Sequence, residues 1–288
     1  MIPFVEQPSV TLGPLTIHAF GVIVASAAFL GDVLYRRRLL SQGLDASVGA
    51  RLGWWALTSG FVGAHLFSLV FYFPHKLAAH PWLIFKLWED VSSFGGMLGG
   101  AIGAALFVRL RLNGLTLRDK WKYLDAAAFV LPFAWAVGRV ACSLAHDHPG
   151  AVTSFPLAIS LDGARARAYI AGVYAEAGRT LPQGAALNGL GFHDLGWYEC
   201  VYLTVVAIPF FIVLDRSGRT RRPGFWLAAF TLCYAPMRII FDELRLADAR
   251  YFGVTPGQYA ACALLVAGLL AYRVGGSLAE KVTSEVGG

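Results

Sequence analysis

Residues 129–150, FVLPFAWAVGRVACSLAHDHPG, decide the fold class. An apolar run leads through Gly138 into Arg139, and seven positions later His146, Asp147 and His148 follow in succession. The apolar window extends back to about residue 122, and 122–144 is long enough to cross a hydrocarbon core, which takes about 20 helical residues. An arginine inside such a span costs about 2.5–3.5 kcal/mol at the centre unless it faces a polar cavity or a partner. The stretch therefore predicts a membrane helix with a polar site at its end.

Working outward, six more windows meet the same length requirement, near 15–35, 48–73, 94–112, 196–214, 223–243 and 254–274. Composition agrees: the 288 residues are 57% hydrophobic and 15% charged, with a mean hydropathy of +0.57. A water-soluble domain carries about 25% charged residues. The expected fold is all-α and membrane-integral, with about seven transmembrane helices in a single polytopic domain over 1–288. A small hydrophilic head, 146–195, is inserted between spans four and five. Within it, SFPLAISL suggests a short strand and ARARAYIAGVYAEAG a short helix. MIPFVEQPSV lacks a basic n-region and carries Glu6, so the first apolar segment is expected to stay as a span.

The net charge of +6 would suggest nucleic acid in a soluble protein, but the basic residues sit between apolar runs. Arg36, Arg37, Arg38 and Arg51 follow the first span, and Arg109, Arg111, Arg118, Lys120 and Lys122 the third. Arg216, Arg219, Arg221 and Arg222 follow the fifth, with Arg273 and Lys281 in the tail. If every window spans, these groups share one side, which the positive-inside rule makes cytoplasmic. The N-terminus and head are then outside and the C-terminus inside. No nucleic-acid partner is expected. Cys142, Cys200, Cys233 and Cys262 stand singly without a CxxC pair, which reads as small buried hydrophobes rather than disulfides or zinc ligands.

Two clusters carry the chemistry. One is Arg139 with His146, Asp147 and His148. The other is YAPMRIIFDELR, where Arg238 and Asp242 share a helix face and Arg245 follows near the next turn. Both fall at the outer ends of spans four and six, so they can meet. Guanidiniums there suit a phosphate, to which each offers planar bidentate donors, and a phospholipid headgroup is the nearest source. A purely structural Arg238–Asp242 pair is the plainer alternative. In SSFGGMLGGAIGAAL, Gly99 and Gly103 read as close helix packing. The SSxGG start, with Gly95 and Gly96, is expected to break the helix and bare backbone N–H groups toward an anion. HDLGWYE sets His193 and Glu199 at the mouth of span five. Nothing in the spacing fixes a metal site among His146, His148, His193 and Asp147, and no metal or other cofactor is expected.

In this order, the motifs resemble the prolipoprotein diacylglyceryl transferase family over about residues 10–272. LGPLTIHAFG is similar to the family's opening, SSFGGMLG to its His-Gly-Gly motif, and GRVACSLAHDHPG to its Gly-Arg signature. HDLGWYE resembles the His-Pro-x-Gln-x-Tyr-Glu block, YAPMRIIFDELR the Tyr-x-x-x-Arg-x-x-x-Glu-x-x-Arg block, and TPGQ the closing Thr-x-Gly-Gln. The resemblance implies a bacterial inner-membrane enzyme, N-terminus periplasmic and C-terminus cytoplasmic, acting as a monomer. Its partners are membrane lipid, phosphatidylglycerol and the cysteine-bearing signal segment of a prelipoprotein. The cysteine thiolate displaces glycerol phosphate and forms a thioether to diacylglycerol. Arg139 and Arg238 are implied to hold the phosphate and the charge developing on the leaving group, with Asp242 orienting Arg238. Gly150 closes the signature, and His193, Tyr198 and Glu199 are implied to support the head.

The chain departs from the pattern at Phe94 for His, Phe20 for Tyr, Cys142 for Asn and Asp242 for Glu. A phenyl ring cannot accept a proton, so His146 or His148, oriented by Asp147, is the expected base. Two other function classes stay open. One is a non-catalytic paralogue that binds phospholipid or a lipoprotein signal. The other is an anion transporter, against which the lack of inverted repeats counts.

Overall fold

The computed structural model describes residues 1–13, 15–87, 91–182, 187–246, 248 and 250–286. Pro14 of the LGPLTIHAFG stretch, residues 183–186 of the expected head and the Lys281 side chain lie outside this description.

The chain opens with a hairpin of β1 (Ser9–Leu12) and β2 (Leu15–His18), followed by α1 (Ala19–Ser41), α2 (Ala46–Phe67), α3 (Pro74–Ala79), α4 (Ser93–Arg111) and α5 (Leu117–Ala145). Then come β3 (Pro149–Thr153), β4 (Ile159–Ser160), α6 (Ala164–Glu176) and β5 (Gly191–Asp194). The chain ends with α7 (Leu195–Tyr202), α8 (Ile208–Arg216), α9 (Phe225–Glu243) and α10 (Pro256–Val286). Single π-helical turns continue α2 at 68–72 and join α7 to α8 at 203–207.

Among the described residues, seven stretches are long and apolar enough to span a membrane: Ala19–Ser41, Ala46–Tyr72, Phe94–Arg111, Leu117–Ala145, Leu195–Arg216, Phe225–Glu243 and Pro256–Ser277. These are the seven predicted windows, shifted by a few residues. The first begins later because residues 15–18 pair in the hairpin. It also ends later, carried through Arg36 by the i,i+4 pair with Asp32 at 2.7 Å. The fourth begins earlier because Thr116 Oγ1 accepts the Asp119 N–H at 3.2 Å and donates to its carboxylate at 2.7 Å.

By contacts the chain divides into two compact units. The first comprises Met1–Gly31, Leu131–Arg219 and Pro236–Asp248. Its residues between spans four and five build an antiparallel sheet, β3-β5-β4, with α6 beside it. The predicted helix is there, whereas the SFPLAISL strand shrinks to Ile159–Ser160 and the longer strand lies earlier, at Pro149–Thr153. Phe192 in the middle strand is fully buried with Ile170 and Leu161. The first residues are stitched to this sheet, the Ile2 N–H donating to Ala158 O at 2.8 Å and the Ser160 N–H to Ile2 O at 2.7 Å.

The second unit comprises Asp32–Val130, Thr220–Ala235 and Ala249–Gly288. Its core joins Tyr35, Leu39, Leu52, Phe107 and Tyr123. Asp125, within α5, accepts the backbone N–H groups of Gly224, Trp226 and Leu227 at 2.7–3.2 Å and so caps α9 from a neighbouring helix. The glycine stripe of α4 lies on α2. A Cβ added at Gly63 would sit 2.6 Å from Gly95 O and 2.8 Å from Gly99 Cα, so the two backbones touch where the glycines face each other. This corrects the expectation for SSxGG. The stretch starts a helix instead of breaking one, and its N–H groups are already engaged: Ser92 Oγ accepts from Gly95 at 3.4 Å and Ser92 O from Gly96 at 2.9 Å.

Gly63→Val should therefore destabilise the protein by about 1–3 kcal/mol through overpacking, seen as a lower unfolding midpoint in detergent. Gly114→Ala, with open space around the new methyl, should leave the midpoint unchanged.

Candidate functional site

The site is built in the first unit, from the ends of three spans. Helix α5 closes in a Schellman turn: His146 N–H reaches Ser143 O and Asp147 N–H reaches Cys142 O, both at 3.4 Å. The residue at the left-handed position, usually glycine, is His146 with φ +50°. Its buried ring holds it there. Nδ1 lies 2.6 Å from Asp194 Oδ2, Nε2 lies 3.1 Å from Val5 O, and the ring stacks on Phe4 at 4.5 Å. The Tyr169 hydroxyl donates to the His146 carbonyl at 2.5 Å. The turn sends Asp147 and His148 back toward Cys142.

Below the turn, Arg139 (2% exposed), Glu199, Arg238 and Asp242 (each 0%) form a continuous ionic ladder. Arg139 Nε meets Glu199 Oε2 at 2.7 Å, Arg238 Nη1 meets Glu199 Oε1, and Arg238 Nη2 meets Asp242 Oδ1 at 2.7 Å. Two positive groups face two negative ones, and α5, α7 and α9 each contribute. The Arg139 guanidinium also lies 5.4 Å from the Trp135 ring centroid and donates to Cys142 Sγ at 3.5 Å. The ladder continues to Arg245, whose Nη1 lies 4.0 Å from Asp242 and 2.7 Å from Asp248.

Arg245 is placed by the segment after α9, which pairs with β3. Gly150 faces Arg245 across this bridge, and a Cβ at Gly150 would collide with the Leu244 carbonyl. A cavity of about 420 Å³ opens above the turn, lined by His146, Asp147, Tyr169, Glu176, Arg245 and Asp248 among others. Three carboxyls against one guanidinium make its wall acidic. Burial pushes the Asp248 carboxyl up, against the pull of Arg245. Burial also pushes Asp147 up, but His148, Arg139 and Arg245 outweigh it and hold the carboxyl below its ordinary range.

The two arginine clusters do meet, and Asp242 contacts Arg238 as expected, but several roles change. Glu199, expected to support the head, is the bridge between the guanidiniums. His146, expected as a base, presents both ring nitrogens to oxygen acceptors and clasps the N-terminal segment. His148, also buried, contacts Asp147 through Nδ1. His193 contacts Tyr198 Oη at 2.9 Å, and Phe155 packs on both rings. Burial pushes the His193 imidazole down. Gly95, Gly96 and Phe94 belong to the second unit, where Phe94 is buried.

Of the imagined metal ligands, His146 and His193 are turned elsewhere. The structure gathers Cys142, Asp147 and His148 instead, their ligand atoms all within 4.8 Å of one another. None of the four cysteines forms a disulfide; only Cys142 is buried, and its sulfur accepts from Arg139 instead of packing as a plain hydrophobe. Sequence reasoning missed Asp194. Its position before α7, where Oδ1 accepts the Trp197 N–H at 2.9 Å, is the N-cap signal that could have marked it.

Comparison with known proteins agrees with the motif order. The model of the family described as prolipoprotein diacylglyceryl transferase matches residues 8–274. Similar proteins include the phosphatidylglycerol–prolipoprotein diacylglyceryl transferase of Symbiobacterium thermophilum, 26% identical over 94% of this chain and 92% of that one. The protein of the same name from Chromohalobacter salexigens is 27% identical over 93% of this chain and 91% of its own length. That from Thermus thermophilus is 35% identical over 51% of this chain and 52% of its own.

Removing Glu199 would strand two buried guanidiniums, and breaking a buried ion pair costs about 3–5 kcal/mol. Glu199→Ala should lower thermal stability by that order, and Glu199→Gln, which keeps one acceptor, by less. Urea or heat titrations of the detergent-solubilised variants measure the difference.

Proposed function

This chain belongs to the prolipoprotein diacylglyceryl transferase family, and from that premise we propose that it transfers the diacylglyceryl group of phosphatidylglycerol to the cysteine thiol of a prelipoprotein. The observation that carries the proposal is the buried ladder of Arg139, Glu199, Arg238 and Asp242, which ends in Arg245 at the cavity. An anion in that cavity has Arg245 as its guanidinium partner, beside Asp147, Glu176 and Asp248, with Arg139 and Arg238 held in the ladder.

In the reaction, the thiolate sulfur bonds to the terminal glycerol carbon of the lipid. The carbon–oxygen bond to phosphate breaks, and its electron pair leaves with glycerol phosphate. Arg245 contacts the headgroup, and Arg139 and Arg238 stabilise the charge that grows on the phosphate, a preorganised electrostatic role. The thiol loses its proton at the Asp147–His148 pair. His146 is committed elsewhere, its ring nitrogens facing Asp194 and Val5 O, and buried Phe94 carries no basic atom.

Seven spans make the chain a multi-pass membrane protein. We place it in the bacterial inner membrane, with the N-terminus and the sheet-bearing segment periplasmic and the C-terminus cytoplasmic. The support is the run of basic residues after spans one, three and five. Secreted prelipoproteins and the outer leaflet's phosphatidylglycerol both reach the cavity on that side. The prelipoprotein signal segment is the proposed protein partner, and the transfer needs only one copy of the chain.

The test is complementation of a strain depleted of its own diacylglyceryl transferase, read as the mass shift of a lipoprotein. The parent chain should restore the shift. Arg139→Ala should reduce the rate by about 10²–10³-fold, the usual consequence of deleting one preorganised donor. A membrane-inserted parent that yields no diacylglyceryl adduct overturns the assignment in favour of a lipid- or signal-binding protein.

A further inference from the structure

We propose that Cys142, Asp147 and His148 form a binding site for a zinc-class divalent metal, whose open coordination position takes the incoming cysteine thiol as a thiolate. The proposal rests on the transferase reading and deepens it.

The three residues come together for a structural reason. The left-handed turn at His146 reverses the chain at the end of α5, so residues 147 and 148 fall back on the last helical turn. The backbone is fixed on both sides: Asp147 N–H is held by Cys142 O, and His148 O accepts the Leu195 N–H at 3.1 Å. The ligand atoms already lie within 4.8 Å of one another. Around a tetrahedral zinc, with bonds of about 2.0–2.3 Å, ligand atoms sit about 3.3–3.8 Å apart. Side-chain movements of about 1–1.5 Å reach that spacing: Asp147 and His148, in direct contact through Nδ1, separate to admit the metal, and Cys142 closes on it.

The donor set selects the metal. Thiolate, imidazole and carboxylate are the three zinc ligand types, whereas magnesium and calcium take oxygen alone. Three protein ligands leave a tetrahedral ion one position short, which is the pattern of catalytic rather than structural zinc. Two anionic ligands balance a divalent charge. Arg139, whose Nη1 lies 3.5 Å from Cys142 Sγ, is paired with Glu199 at 2.7 Å.

Access and function agree. Cys142 and His148 are buried, but Asp147 lines the cavity, so the open position is reached from the space that admits the lipid headgroup. A thiol that coordinates zinc is deprotonated outright and its proton passes to water, so Asp147 and His148 act on the thiol through the metal they hold instead of taking its proton themselves. The sulfur then supplies the electron pair for the new carbon–sulfur bond, and the departing glycerol phosphate takes the pair of the broken carbon–oxygen bond. Arg139 Nη1, 3.5 Å from Cys142 Sγ, puts a phosphate-stabilising group beside the metal's own ligand. Thiol activation then needs no histidine at position 94.

The test begins with the purified, chelator-stripped full chain in detergent, loaded with zinc or cobalt. The expected result is about one equivalent of zinc per chain and, with cobalt, a thiolate-to-metal charge-transfer band with the visible spectrum of a tetrahedral ion. Cys142→Ala and His148→Gln should each weaken zinc binding by more than about 100-fold, and Cys142→Ala should abolish the charge-transfer band. Cys262→Ala, at an exposed position, should keep both. A parent that binds no metal, or a Cys142→Ala variant that binds as well as the parent, overturns the site. Transfer that continues at full rate after exhaustive chelation overturns its role. A parent that binds zinc through these residues, yet makes no adduct at saturating zinc, upholds the site and overturns the transferase reading alone.

Discussion

The first unit depends on one carboxylate. Glu199 sits on α7, buried, and its two oxygens are taken by Arg139 of α5 and Arg238 of α9. Taking such charges out of water costs several kcal/mol per ion unless geometry and hydrogen bonds return it. The return comes only when all three helices stand in register. A slip of one turn would displace a guanidinium by about 5.4 Å and leave a bare buried charge. The ladder therefore fixes where the helix ends lie more stringently than apolar packing between lipid-facing helices could. What is built on those ends, the α5 turn and the Gly150–Arg245 bridge, inherits that precision.

The α5 turn shows the same logic at smaller scale. A non-glycine residue in the left-handed region costs about 1–2 kcal/mol. His146 accepts that strain because its ring ties Asp194, the cap of α7, to Val5 and Phe4 of the N-terminal segment. One side chain thus connects the end of span four, the start of span five and the first residues of the chain. Its neighbour His148, also buried, contacts Asp147 through Nδ1. Two histidines separated by one residue thus have different partners, one across the fold and one local.

How much of this was legible in the sequence follows from the range of each interaction. The spans were legible because hydropathy is a local sum over about 20 residues, and the larger shifts at their ends came with local devices: the hairpin before α1, the Arg36–Asp32 pair and the Thr116 cap. Arg238 and Asp242 were legible because four residues on a helix make one face. Glu199 was not: its partners are 60 and 39 positions away, and nothing local distinguishes a carboxylate that braces a loop from one that bridges guanidiniums. The same holds for Ile2 at the sheet edge. The SSxGG stretch misled for a different reason, since glycines that could loosen a helix start also let α4 lie against α2, and only the position of α2 decides.

The balance of charge in the ladder bears on how the proposed reaction gains its rate. Arg139 and Arg238 are matched by Glu199 and Asp242, so the ladder is nearly neutral and adds little attraction for a lipid phosphodiester with one negative charge. As the carbon–oxygen bond breaks, the phosphate moves toward a second negative charge. Fixed guanidinium dipoles then stabilise that increment without having tightened the ground state. Such an arrangement favours the transition state over the bound substrate. An unpaired arginine pair would hold the phosphodiester, and later the glycerol phosphate product, too firmly to turn over. On this argument Glu199 and Asp242 are as much part of the chemistry as the arginines, because they set how much charge the site lacks before the reaction begins.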